Sequence, residues 1–131
     1  MNATPFKDKT NLERVIGYYD AMIAKDFETM GSYLHDEVEF IGPLAERKGK
    51  ASLIAAAENL SQILDKIEIR SRFENDNQVM LAYDFLFPSL NLNLRSAGMI
   101  NFKKGLIIRI EVFYDGRPFQ QKQEEIFTDQ S

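Results

Sequence analysis

Residues 90–114 read LNLNLRSAGMINFKKGLIIRIEVFY, and the alternation in this stretch decides the fold. Leu90, Leu92, Leu94, Ser96, Gly98, Ile100 and Phe102 fall on one face of an extended chain. Asn91, Asn93, Arg95, Ala97, Met99, Asn101 and Lys103 fall on the other, the period of two expected of a half-buried strand. Lys104-Gly105 supplies a two-residue hairpin turn. The chain then returns with Leu106, Ile108, Ile110, Val112 and Tyr114 on one face and Ile107 and Phe113 on the other. Gly98 marks a candidate bulge or bend. Asp115-Gly116-Arg117-Pro118 closes the last strand, with Asp115 and Arg117 as a turn-stabilising pair.

Reading backwards, Gln78 to Phe87 is apolar on both faces and predicts a central strand. Asn75-Asp76-Asn77 is a turn by composition. Before it, Ile67, Ile69, Ser71 and Phe73 alternate with charged residues, predicting another half-buried strand. The amino-terminal half has helical periodicity. Thr10-Asn11-Leu12-Glu13 has the form of a capping box, and Leu12, Val15, Ile16, Tyr19, Met22 and Ile23 follow at helical spacing. Tyr18 flanks that stripe, placed to keep its ring in the core and aim its hydroxyl into a cavity. Asp26 caps a short second helix whose Phe27, Met30, Tyr33 and Leu34 turn inward. Asp36 to Ile41 predicts a strand with Val38 and Phe40 inward and Glu37 and Glu39 outward. A third helix is expected from about Lys50 to Asp65. Helices gathered before a run of hairpin-connected strands predict an α+β fold with an antiparallel sheet.

The chain has 131 residues, which fits one domain spanning 1–131, with its core at about 10–118 and a polar tail at 119–131. It has no cysteine, so disulfides and thiolate metal sites are excluded. His35 is the only histidine, which excludes a multi-histidine metal site and leaves it a structural or solvated role. The net charge is −4 and the basic residues are scattered, so no nucleic-acid partner is expected. The one cluster, Arg47-Lys48-Gly49-Lys50, reads as a solvated loop leading into a helix. No apolar run approaches the roughly 20 residues of a membrane span, and Met1 to Lys9 lacks the apolar region of a signal peptide. A cytoplasmic protein without metal or cofactor is the expectation.

The order of elements resembles the nuclear transport factor 2-like superfamily, in its SnoaL-like and ketosteroid isomerase-like branch. The likeness is carried by Tyr18-Tyr19-Asp20-Ala21-Met22, Lys25-Asp26-Phe27 and Leu34-His35-Asp36-Glu37-Val38-Glu39-Phe40. Arg47-Lys48-Gly49-Lys50 and Ile110-Glu111-Val112-Phe113-Tyr114-Asp115 add to it. The resemblance implies a cystatin-like cone, three amino-terminal helices packed on a strongly curved, mostly antiparallel sheet, and a homodimer through the outer sheet face. It also implies where a steroid-isomerase-like enzyme would keep its chemistry: a tyrosine donor at Tyr18, a carboxylate base at Gly42 and a protonated acid at Gly98. Glycine moves no side-chain proton, so isomerase chemistry of that kind is not expected.

The inferred inner surface is Tyr18, Val38, Phe40, Ile100, Phe102, Ile110, Val112 and Tyr114. Of these, Tyr18, Phe40, Ile100, Phe102, Ile110, Val112 and Tyr114 are the candidate ligand-binding residues, and they suit a small hydrophobic molecule. Asp84 lies within an apolar run. If it faces the cavity it becomes, with Tyr18, a candidate catalytic group for an isomerase, dehydratase or cyclase-like reaction. If it faces outward, it pairs with a base such as Arg95 or Arg109. The remaining alternative is a non-catalytic dimer that binds a protein partner.

Overall fold

The computed structural model describes residues 9–118, so the polar start up to Asp8 and the expected tail from Phe119 to Ser131 lie outside the described residues. Helix α1 spans Asn11–Ile23 and α2 spans Phe27–Ser32. Strand β1 follows at Leu34–Ile41, β2 at Glu46–Lys48 and helix α3 at Lys50–Leu60. Four strands complete the order: β3 Lys66–Asn75, β4 Gln78–Phe87, β5 Leu92–Lys103 and β6 Leu106–Tyr114. They form one six-stranded sheet in the order β2-β1-β6-β5-β4-β3. Every pairing is antiparallel except that of β1 with β6. Helix α1 packs against β3 and β4, and α3 against β1. Among the described residues no helix is long and apolar enough to cross a membrane.

Local signals set the helix starts. The Thr10 hydroxyl accepts from the Glu13 backbone N–H at 3.1 Å, and the Glu13 carboxylate accepts from the Thr10 N–H at 2.8 Å. Both halves of the capping box are therefore made. The Asp26 carboxylate accepts from the Thr29 N–H at 3.1 Å and starts α2 in the same way. Lys104 and Gly105 both have positive φ, 53° and 80°, as a two-residue hairpin turn requires.

Four expectations are corrected. Glu46–Lys48, read as loop, is a short edge strand paired with β1, Phe40 opposite Arg47. Three residues carry too little alternation to show a period. Helix α3 ends at Leu60 rather than near Asp65. Leu64 still reaches the core, because residues 61–63 turn and the Asp65 N–H donates to the Leu86 carbonyl at 2.9 Å.

The third and fourth corrections share one cause. In β3 the pairing passes from Ile69–Tyr83 to Ser71–Ala82, leaving Arg70 as an extra residue. In β6 it passes from Arg109–Asn101 to Ile107–Phe102, leaving Ile108 extra. Each bulge reverses the alternation beyond it. Phe73, expected inward, is therefore 69 % exposed on the outer face opposite Met80. Ile107, expected outward, is fully buried.

Gly98 carries no register shift. Its role is close approach. On β4, Val79, Leu81, Tyr83 and Phe87 are buried on the helix-covered face. The Tyr83 hydroxyl lies over the Gly98 backbone, where a Cβ would overlap it. The same hydroxyl is 2.8 Å from that of Tyr19 on α1. Gly98→Ala is expected to destabilise the fold by about 1–3 kcal/mol through this overlap. Tyr83→Phe, which loses the buried hydrogen bond, should cost about 1 kcal/mol. Urea denaturation of both variants and their double should show the double costing less than the sum, since Tyr83→Phe removes the atom that Gly98→Ala strikes. Strict additivity would refute the overlap.

Candidate functional site: an apolar cavity

Between α1, α3 and the sheet lies a cavity of ≈ 400 Å³. Tyr18, Tyr19 and Met22 of α1 close one side. Met22 lies beside both tyrosines because it follows Tyr19 by three residues and Tyr18 by four. Leu53, Ala56, Ala57 and Leu60 of α3 close the other, and the small Ala56 and Ala57 leave the space open. The sheet supplies Phe40 from β1, Phe85 and Phe87 from β4, Leu94 and Ser96 from β5, and Ile110, Val112 and Tyr114 from β6. Leu44, Ala45, Arg47 and Asn59 complete the lining. Ala45, Arg47 and Asn59 are exposed, so the mouth opens between the β1–β2 connection and the end of α3.

The wall is aromatic at one end. Tyr18 meets Tyr19 edge to face with ring centroids 4.9 Å apart, Tyr19 meets Tyr83 at 5.3 Å and Tyr83 meets Phe85 at 4.8 Å. Such contacts hold each ring in one orientation. Burial pushes the Tyr18 phenol pKa well up, and the neighbouring Tyr19 adds to the shift. Tyr19 is raised by burial and then by Tyr83, and Tyr114 is raised by its partial burial. These phenols therefore stay protonated at neutral pH, as hydrogen-bond donors and not as bases. The Tyr18 hydroxyl has no hydrogen-bond partner among the described residues, which leaves it available to a ligand.

Of the expected ligand-binding residues, Tyr18, Phe40, Ile110, Val112 and Tyr114 line the cavity. Ile100 and Phe102 do not. They are buried on the same face of β5 but lie in the core beyond the cavity. The α3 residues and Arg47 were not anticipated. Alanines carry no signal of a cavity, and the alternation that aims Arg47 inward belongs to a strand of three residues.

Asp84 does not reach the cavity, which corrects its candidate catalytic role. Tyr83 faces inward, so the next residue on the strand faces out. Arg95, its cross-strand partner, donates from Nε to Oδ1 at 3.2 Å and from Nη2 to Oδ2 at 3.3 Å. Arg70, the bulge residue, donates to Oδ1 at 3.2 Å. The carboxylate is 5 % exposed because these two side chains cover it on the outer face. No lining residue among those described carries a carboxylate. The places where the resemblance puts the isomerase acids are also crowded. The Tyr83 hydroxyl fills the space at Gly98, and at Gly42 a Cβ would meet Val112 at 3.1 Å and the Phe40 ring at 3.3 Å.

Two smaller expectations hold. Arg117 Nη2 donates to Asp115 Oδ2 at 2.8 Å and the Arg117 N–H donates to Oδ1 at 3.0 Å, and this bonding holds the Asp115 carboxyl at about 2. His35 Nδ1 accepts from the Glu37 N–H at 3.0 Å, a local structural contact.

The sequence pattern of the SnoaL-like domain matches residues 15–110. No curated protein matches the chain in sequence. Among solved structures, an NTF2-like protein from Cytophaga hutchinsonii superposes with a TM-score of 0.77 at 23 % identity, covering 92 % of this chain and 99 % of its own. A Silicibacter pomeroyi protein with a cystatin-like fold superposes with a TM-score of 0.76 at 14 % identity over 97 % of this chain and 89 % of its own. TerC, co-crystallised with polyporic acid, gives 0.69 at 18 % identity over 85 % and 95 %. At these identities the likeness establishes the fold.

The Asp84 pairing has a pH signature. Hydrogen bonding from Arg95, with the charges of Arg95 and Arg70, holds the carboxyl below its ordinary value against the opposing effect of burial. The pairing therefore stabilises the fold fully above the unfolded-state pKa of about 3.9 and loses that effect as pH falls through the lower folded value. Asp84→Asn is expected to cost about 1 kcal/mol at pH 7, a modest figure because both arginines are partly solvated. Denaturation curves at pH 7 and pH 3 should show the gap between variant and wild type narrowing at the lower pH. A gap independent of pH would count against the pairing.

Proposed function

The chain belongs to the SnoaL-like family, and from that premise we propose that it binds a small hydrophobic molecule in the cavity without the acid pair of ketosteroid isomerases. The observation that carries this reading is the lining itself: ≈ 400 Å³ bounded mostly by aliphatic and aromatic side chains, with Tyr18, Ser96 and Tyr114 contributing a few hydroxyls. Ligand pockets are of this kind, apolar with a few placed polar groups. Among the described residues a general base is missing from the lining, and the phenols are held in their protonated form, so these residues offer orientation and donors but no proton acceptor. TerC, a protein of the same fold, has been crystallised with polyporic acid, which supports a small cyclic compound as an occupant.

A thermal-shift screen of small aromatic and alicyclic compounds tests the reading. A ligand present at 100 times its Kd should stabilise the fold by about 2.7 kcal/mol. Ala57→Phe, which fills the space between α3 and the sheet, should abolish the shift while the variant still unfolds cooperatively. Tyr18→Phe should weaken hydroxyl-accepting ligands by about tenfold and leave pure hydrocarbons unaffected. If no compound raises the melting temperature, or if Ala57→Phe leaves the shifts intact, the cavity is not a binding site.

We further infer that the outer sheet face pairs with a second copy of the chain. Phe73, Met80 and Phe113 are exposed there. Met80 lies opposite both Phe73 and Met99, and Phe113 lies opposite Ala97, so the apolar side chains spread over β3 to β6 as one surface. An exposed apolar surface of this kind is a candidate for an isologous contact about a two-fold axis. Light scattering should give twice the chain mass for the wild type. Phe113→Asp should give the monomer and leave ligand shifts unchanged, because Phe113 points away from the cavity. A monomeric wild type at micromolar concentration would overturn the inference.

A further inference from the structure

Among the described residues the cavity has one charged group, Arg47, and its position points to a class of ligand. Arg47 is the middle residue of β2 and pairs with Phe40 of β1. Paired residues share a face of the sheet, and Phe40 lines the cavity, so Arg47 stands on the cavity side. Its neighbours Glu46 and Lys48 alternate to the other side, where Lys48 Nζ lies 3.7 Å from Glu39 Oε2. The sequence Glu46-Arg47-Lys48 is thus divided by the strand period: the lysine meets an acid on the outer face, and the arginine is sent alone to the mouth.

The charge balance around it is uneven. Arg70, Arg95, Arg109 and Arg117 each lie within ion-pair distance of a carboxylate. Arg47 has no such partner among the described residues, and no carboxylate lines the cavity that it faces. Its guanidinium is exposed, so it keeps its hydration without a desolvation cost until a ligand arrives. Asn59, exposed on α3, offers an amide to the same space. The rest of the lining is mostly apolar, Leu53, Ile110 and Val112 among it, and Tyr18 also lines it.

We propose that the ligand is an organic anion, an apolar or aromatic body carrying one carboxylate or similarly acidic group, bound with its acid at the mouth on Arg47 and its body in the cavity. This rests on the cavity being a binding site, as proposed above, and adds the sign and place of the ligand's charge. A planar guanidinium accepts a carboxylate through two parallel hydrogen bonds, which fixes orientation as well as charge. A cation of similar shape is disfavoured, because it meets Arg47 at the mouth and no acid within.

The test uses matched pairs: phenylacetate, 2-naphthoate and decanoate, each beside its neutral primary amide, titrated by calorimetry at pH 7 in low salt. The acids are expected to bind at least tenfold more tightly than their amides. Arg47→Ala should remove that preference by weakening the acids far more than the amides, whereas Arg47→Lys should retain part of it. Raising the salt concentration should narrow the gap between acid and amide in the wild type. Amides that bind as tightly as acids, or an Arg47→Ala variant that weakens both alike, would overturn the anion proposal and leave the cavity reading standing. If neither series binds, both fall together.

Discussion

The contact of the Tyr83 hydroxyl with Tyr19 and with the bare backbone of Gly98 is the constraint on which the rest of the molecule depends. It joins α1 to the neighbouring strands β4 and β5 at one buried point. A side chain on Gly98 would push the ring away, and without the ring α1 would lose its buried polar anchor. The contact also fixes the phase of β4. With Tyr83 inward, Val79, Leu81, Phe85 and Phe87 follow it towards the helices, and Asp84 must face the other way. One tyrosine therefore decides both what closes the aromatic end of the cavity and that no carboxylate from this strand enters it.

The chemistry of the cavity follows from that exclusion. Its polar groups are hydroxyls whose burial keeps them protonated, together with an arginine and an amide at the mouth. All can donate hydrogen bonds, and none is a general base at neutral pH. Such donors suit the electron-rich or anionic ligand proposed above. The isomerase-like arrangement needs acids where this chain has glycine, and neighbouring side chains crowd both places.

The outer face is organised by its own logic. The bulges at Arg70 and Ile108 turn the ends of β3 and β6 over. One brings Phe73 out to join Met80. The other brings Ile107 into the core beside β1. Arg70, released from the regular ladder, is the residue that completes the cover over Asp84. The same local irregularity thus serves the apolar surface and the ion pair beside it.

Much of this architecture was legible in the chain itself. The Thr10–Glu13 capping box, the Asp26 cap, the period of β5 and the Lys104-Gly105 turn act over a few residues, and the sequence states them directly. They determined the α+β class, the order of the main elements and the inward placing of Tyr18, Phe40, Ile110, Val112 and Tyr114. The direction of Asp84 was not legible, because a strand apolar on both faces has no phase of its own until a partner such as Tyr19 selects one. The bulges were hidden for a related reason: an extra residue is defined by the strand opposite, not by the strand that carries it. Strand β2 and the inward turn of Arg47 depend on pairing with β1, and the cavity depends on the distance between α3 and the sheet. Sequence alone determined the elements with short-range causes. Tertiary packing decided the phases, and with them which side chains meet.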